Sequence, residues 1–191
     1  SLEKKVESRT KALEKLHEIS SLFHSTESLD KRLRLVLIAA TAGETFRFNR
    51  AFLLLVNETT QWLEGRLALG PSTPEEAIQI WGAIEQMPKE NSVTASLQRY
   101  LEQPNHGDKR ANQIARELSV PLSKKESLLL QSLQLQRSFI VSHGKTDVAH
   151  DTSIISKIGT DEFAVIPLLI REKQIGVLIV DNNVTRKMIL E

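Results

Sequence analysis

The stretch Phe163 to Asn183, FAVIPLLIREKQIGVLIVDNN, decides how this chain is read. Phe163 to Ile170 forms one apolar run, and Ile175 to Val180 forms a second that ends at Asp181. Arg171-Glu172-Lys173-Gln174 separates them as a polar turn. Run length, β-branched enrichment and the polar bounds favour two strands over a helix. Both runs are apolar on both faces, so the hairpin belongs in the middle of a sheet covered on each side. Pro167 cannot donate to a ladder, so its nitrogen must face no partner or lie at a bulge. Gly176 predicts a bulge or a close backbone approach.

Working outward, Arg50 to Val56 (RAFLLLV) reads as a buried strand and Trp62 to Leu69 (WLEGRLAL) as its hairpin partner, joined by the turn cluster Asn57 to Thr60. Ser28 or Thr26 can cap a helix from about Leu29 to Thr45, with Leu29, Leu33, Val36, Leu37 and Ala40 on one face. Thr73, Pro74, Glu75 and Glu76 open another helix with a cap, a proline at the first position and acids in the first turn. Its apolar face is Ala77, Ile80, Trp81 and Ile84, and it ends near Met87-Pro88. Further helices are expected over Val93 to Glu102, Asp108 to Leu118 and Lys124 to Leu135, the last two split at Val120-Pro121. Arg137 to Val141 is a short strand, and Thr152 to Ile158 a short helix stopped by Gly159. Antiparallel pairs with segregated helices give an α+β fold, an antiparallel central sheet flanked by helices.

Residues 1 to about 24 carry a seam on alternating steps of four and three: Leu2, Val6, Leu13, Leu16 and Phe23, with Arg9 and Ser20 in the remaining seam places. This predicts a long N-terminal helix. Two readings stay open: a solvated helix resting on its own domain, or a parallel coiled coil making a homodimer through those five residues. A polar seam residue such as Arg9 weakens a coil but also fixes register.

The chain has 191 residues, 40% hydrophobic and 26% charged, with a net charge of +1. That balance gives no strong field pointing to nucleic acid or to an acidic membrane surface. Ala111 to Val120 has the flavour of a helix-turn-helix opening, but its following segment is Leu-rich and lies between sheet segments. No Cys is present, which removes disulfides, thiol nucleophiles and thiolate metal sites. No apolar run approaches the roughly 18 residues of a membrane span. No GxGxxG, GxxxxGK[ST] or GxSxG pattern occurs, and no nucleophile–base constellation is visible, so the chain is expected not to be an enzyme. His17 and His24 share a helix face about 10 Å apart, too far for one metal. His143 and His150 flank a loop with Asp147 and Asp151, where a metal or anion site is conceivable but lacks supporting spacing. No metal and no catalytic residue is assigned. The missing initiator Met and the stop at Leu190-Glu191 lead us to expect a module of a longer protein.

These segments resemble a GAF domain. KLHEISSLFHSTESLDKRL, with its Leu29-Asp30 step, is similar to the family's entry; RAFLLLVNETTQWLEGRLALG to its first strand pair; and GTDEFAVIPLLIREKQIGVLIVDNN, with Pro167-Leu168, Ile175-Gly176-Val177 and Asp181, to its last. LEKKVESRTKALEK resembles the connector helices of bacterial signalling proteins, matched at Leu2, Glu3, Val6, Arg9, Thr10 and Leu13. The resemblance implies a connector over 1–24 and a GAF-like sensory domain over 25–191, truncated before its closing helix, with a helical insert at about 71–136. It implies a cytoplasmic sensory module of a bacterial signal-transduction protein, a sensor histidine kinase of a two-component system, that binds a small ligand or relays a signal through a dimeric helix. The alternatives are a regulatory domain of a transcription factor or nucleotide cyclase, or a ligand-free dimerisation module. The family takes cyclic nucleotides, tetrapyrroles, haem, metabolites or nothing, so cofactor and ligand-binding residues stay unknown. A thioether-tethered tetrapyrrole is excluded without Cys, the cyclic-nucleotide signature is missing, and only His143 or His150 is placed for a haem. The family's pocket would draw its lining from residues 71–143.

Overall fold

The computed structural model describes residues 28–41, 48–85 and 108–185, and nine single positions between Val6 and His24; the side chains at 39, 80–85 and 108 are outside it. In chain order the elements are α1 (Leu29–Thr41), β1 (Arg50–Asn57), β2 (Trp62–Leu69), α2 (Pro74–Glu85), α3 (Asp108–Glu117), β3 (Val120–Pro121), α4 (Leu128–Leu135), β4 (Phe139–Val141), α5 (Ser153–Ile158), β5 (Phe163–Ile170) and β6 (Lys173–Asp181). The six strands form one sheet in the order β3-β2-β1-β6-β5-β4, each neighbouring pair antiparallel.

The Phe163–Asp181 hairpin is central, as its two-faced apolarity requires. β6 lies between β1 and β5, and Val177, Ile179 and Val180 are wholly buried. Its turn is tighter than expected. Lys173 and Gln174 already pair with Ile170 and Leu169, leaving Arg171 and Glu172 as the connection, with Arg171 at φ +56°. Primed two-residue turns of this kind match the strand twist. Pro167 lies beyond the reach of β4, whose last partner on β5 is Val165, so past that point β5 has no described outer neighbour to miss its N–H. A bulge follows between Leu168 and Leu169. Gly176 is a close approach: a Cβ there would stand 2.1 Å from the Leu54 carbonyl oxygen.

Two apolar layers sandwich the sheet. On one face Phe52, Leu54, Leu63, Phe163, Val165, Val177 and Ile179 pack under α3, α4 and α5, which contribute Ala111, Ala115, Leu129, Leu133, Ile154 and Ile158. On the other, Ala51, Leu53, Leu69, Ala164, Leu178 and Val180 pack with Leu35, Leu37, Ile38 and Ala40 of α1. Leu29, expected on the buried face of α1, is 65% exposed, while Leu35 and Ile38 are fully buried.

Side chains close the ends of the elements. Thr73 accepts the Glu76 N–H at 3.2 Å, and Glu76 accepts the Ser72 N–H at 2.7 Å, so α2 begins where its cap predicts. α5 stops at Gly159, at φ +74°. At the far ends of β1 and β6, Arg50 and Asp181 face each other in register and are both buried. The guanidinium reaches both carboxylate oxygens, the shortest contact being 2.8 Å, and also donates to the Ile158 carbonyl at 2.8 Å. One side chain thus binds β1, β6 and the C-terminal end of α5, where a cation suits the helix dipole. Burial pushes the Asp181 carboxyl up from its usual range, with Arg50 pulling the other way.

Some expectations change. Val120-Pro121, read as a helix break, is a short edge strand on Trp62 and Leu63. The helix predicted from Lys124 starts at Leu128, because residues 124–127 form successive turns: Lys124 donates its N–H to the Pro121 carbonyl and Ser127 to the Lys124 carbonyl. The strand predicted from Arg137 starts at Phe139. The α1 helix ends at Thr41, and residues 42–47 lie outside the described ones. So does the helix predicted over Val93 to Glu102, and the side chains of Ile80, Trp81 and Ile84 within α2 are likewise not described. The long N-terminal helix is not shown as a continuous element; the first continuous helix among the described residues is α1, with 13 residues. The helix-turn-helix look-alike is accounted for by packing: Ala111 and Ala115 of α3 and Leu128 to Leu130 of α4 all point into the sheet core.

Candidate functional site

Of the five seam residues assigned to a dimer, Leu2, Leu16 and Phe23 lie outside the described residues. Val6 and Leu13 have helical backbone and are 56% and 66% exposed. His17 and His24 are likewise at exposed helical positions.

The His143–Asp151 loop is tied up with neighbouring cations instead of gathering its acids. Asp147 pairs with Arg137, which holds its carboxyl below the usual range. Asp151 pairs with Lys124 and accepts the Ser153 hydroxyl at 2.7 Å and N–H at 2.8 Å; these contacts bring it down to about 2. His143 is largely exposed, with Nδ1 3.5 Å from Glu162, whose carboxylate also accepts the Ser142 hydroxyl and the His143 N–H, each at 2.9 Å. His150 Nδ1 lies 3.2 Å from the Val148 carbonyl, and its Nε2 is buried without a partner among the described residues. No group of three metal-ligating side chains forms among the described residues.

An open groove of about 420 Å³ lies elsewhere, at the outer edge of β2. Its lining is Thr60, Trp62, Glu64, Gly65, Arg116 and Ser119. The sequence makes this place in three steps. β3 pairs with Trp62 and Leu63 alone, so the edge is left strandless beyond them. α3 then covers it: a Cβ on Gly65 would stand 1.7 Å from the Ala115 carbonyl oxygen, so only glycine admits the helix. Farther along, the Asn112 side chain completes the edge by accepting the Ala68 N–H and donating to the Ala68 carbonyl, both at 3.0 Å. Opposite Leu53 and Leu54 a bulge sets Arg66 out of register, where it reaches Asp30 of α1 at 2.8 Å.

The groove's polar groups are unevenly committed. Glu64 accepts the Thr60 hydroxyl at 2.6 Å and the Asn57 amide at 3.1 Å, and the two bonds, Thr60 first, hold its carboxyl below the usual range. It is therefore a fixed negative charge at neutral pH. Arg116, in the last turn of α3, is exposed, and its guanidinium has no ion pair or hydrogen bond among the described residues. Trp62 is 40% exposed, and its indole N–H has no partner there either. Of the stretch 71–143 expected to line a pocket, this groove uses Arg116 and Ser119; Thr60, Trp62, Glu64 and Gly65 come from the first hairpin, where the reading looked for structure alone. A tryptophan at the polar start of a half-buried strand is the signal that marks it.

No protein-family model and no curated protein matches this chain. Solved structures do. Residues 122 to 287 of a methyl-accepting chemotaxis protein superpose with a TM-score of 0.55 at 15% identity, over 91% of this chain and 84% of that one. The GAF domain of a phosphoenolpyruvate-protein phosphotransferase from Coxiella burnetii gives 0.51 at 13% identity, over 88% and 75%. The GAF domain of the corresponding Acinetobacter enzyme gives 0.50 at 16% identity, over 90% and 77%. At these identities the likeness is one of fold: the α+β sandwich described above, with its six antiparallel strands, is GAF-like.

Proposed function

We propose that this chain is a cytoplasmic GAF-type sensory module of a bacterial signal-transduction protein, a sensor histidine kinase, and that it is not itself an enzyme. It binds a small ligand or relays a signal through a homodimer of its N-terminal helix. The observation that carries this reading is the fold, shared over about nine-tenths of the chain with GAF domains and with part of a chemotaxis protein. The exposure of Val6 and Leu13 supports a seam that awaits a partner helix. That no helix among the described residues is long and apolar enough to cross a membrane is compatible with the location. Signal transfer would be a population shift between two helix arrangements, driven by a ligand that prefers one of them. Control of another output is the second reading, a transcription factor or a nucleotide cyclase in place of a kinase, because the similar folds belong to proteins with different parent activities.

Native mass spectrometry of protein purified without added ligand tests both halves. A small mass lost on denaturation, or a dimer abolished by Val6→Glu with Leu13→Glu, supports the module. A monomer at high concentration with no bound mass refutes it.

A further inference from the structure

The β2-edge groove holds two opposite charges that do not pair with each other. Thr60 and Asn57 both bond Glu64, and Arg116, lining the same groove, has no ion pair or hydrogen bond among the described residues. Glu64 is held instead by its own hairpin, so the groove presents a negative and a positive group side by side without an ion pair between them. An exposed indole, Trp62, whose N–H has no partner among the described residues, lines the same space. From these residues we infer that the groove binds a small aromatic zwitterion, a molecule with a carboxylate, a neighbouring ammonium and a flat apolar body.

Each part of that ligand answers one feature. The planar guanidinium of Arg116 offers paired N–H donors to a carboxylate. Glu64 keeps free acceptor capacity after its two bonds and takes the ammonium. Trp62 gives its face to the ring. A simple anion would meet Glu64, a simple cation would meet Arg116, and an uncharged hydrocarbon would desolvate both for no return. The volume falls at the small end of ligand sites, which span roughly 300–1,000 Å³. Such a ligand would also join α3 to β2 across the Gly65–Ala115 contact, so the inference rests on the sensory reading and gives it a ligand class.

The test is a titration of the full chain carrying Trp81→Phe, which leaves Trp62 as its indole, read by Trp62 fluorescence and by saturation-transfer NMR of the probe. The probes are L-phenylalanine, phenylacetate, phenethylamine and L-alanine. L-Phenylalanine is expected to saturate and change Trp62 emission, the other three binding at least tenfold more weakly. Arg116→Ala and Glu64→Gln, both at accessible positions, are each expected to weaken L-phenylalanine at least tenfold. Glu64→Gln should also erase the preference over phenylacetate, and a thermal melt checks that each variant is folded. Equal binding of the four probes, indifference to either substitution, or no binding of L-phenylalanine at millimolar concentration overturns the proposal. A native-state ligand that both variants retain would overturn this site while leaving the sensory module standing.

Discussion

Gly65→Ala should be the most informative single substitution outside the ligand question. The new Cβ would lie 1.7 Å from the Ala115 oxygen and 2.5 Å from its carbonyl carbon, both backbone atoms of α3. Ordinary contact begins near 3.4 Å, so α3 must retreat by about the same 1.7 Å or β2 must bend away. A gap of even 0.5–1 Å forfeits roughly a quarter to a half of a dispersion well, so the buried contacts of Ala111, Ala115 and Leu118 would all weaken together. Overpacking into side chains costs about 1–3 kcal/mol, and rigid backbone puts this site at about 3 kcal/mol. For a chain of this size that is a fall of roughly 6–12 °C in Tm. Gly159→Ala is the control: no atom lies within 4 Å of its Cβ, but φ is +74°, so backbone strain of about 1–2 kcal/mol is the whole effect. Differential scanning calorimetry of the two variants checks the order. If Gly65→Ala melts within a degree of the parent, or above Gly159→Ala, then α3 does not seat on β2 as described.

Arg50→Met leaves Asp181 buried without its partner and should cost about 3–5 kcal/mol, whereas Arg50→Met with Asp181→Leu should recover most of that; equal urea midpoints for the single and double variants would contradict the buried pairing. Asp151→Asn should destabilise at neutral pH by about 1 kcal/mol, after allowing for solvent screening of the partly exposed pair with Lys124. Its folded carboxyl is depressed from 3.8 to about 2, so the contribution is present above the unfolded value and is lost as pH falls through that window; parent and variant urea curves should converge by pH 2, and a constant offset would show that the ion pair is not the cause. Asn112→Ala removes both bonds to the Ala68 backbone and should cost about 2 kcal/mol, with faster amide exchange at Ala68; unchanged exchange there would mean that the edge is closed some other way.

The strands were legible because their apolar runs are long and their turns carry recognisable chemistry: Trp62 to Leu69 and Phe163 to Ile170 fall where pattern puts them. Thr73-Pro74 and Gly159 likewise act locally, through a cap and a positive φ, and local causes can be read from local sequence. Val120-Pro121 could not be read that way. A two-residue strand has no periodicity, and it exists because Trp62 and Leu63 offer an open edge. The late start of α4 is also a tertiary effect, since Asp151 holds Lys124 and donates its own N–H to the Glu126 carbonyl. The groove was invisible for the same reason: it joins residue 60 to residue 119 through a contact that a single glycine permits, and nothing in the spacing of either segment announces the other. Arg50 and Asp181 sit at strand ends in the sequence pattern, but that they neutralise each other follows from the register of β1 on β6.

That register has a consequence in time. β1 is made early in synthesis, yet its inner neighbour is β6, the last strand of the sheet, and Arg50 waits for a carboxylate 131 residues later. The β1–β2 hairpin can form first, but one edge of β1, with Phe52 and Leu54, stays open until residue 181 has emerged. Such late closure slows folding and leaves a pairing edge available to other chains. A ribosome-bound chain of this protein should therefore be most prone to aggregate, and most dependent on chaperones, just before its final hairpin is delivered. Completion of the fold would then come abruptly, with the one strand that joins the two halves of the sheet.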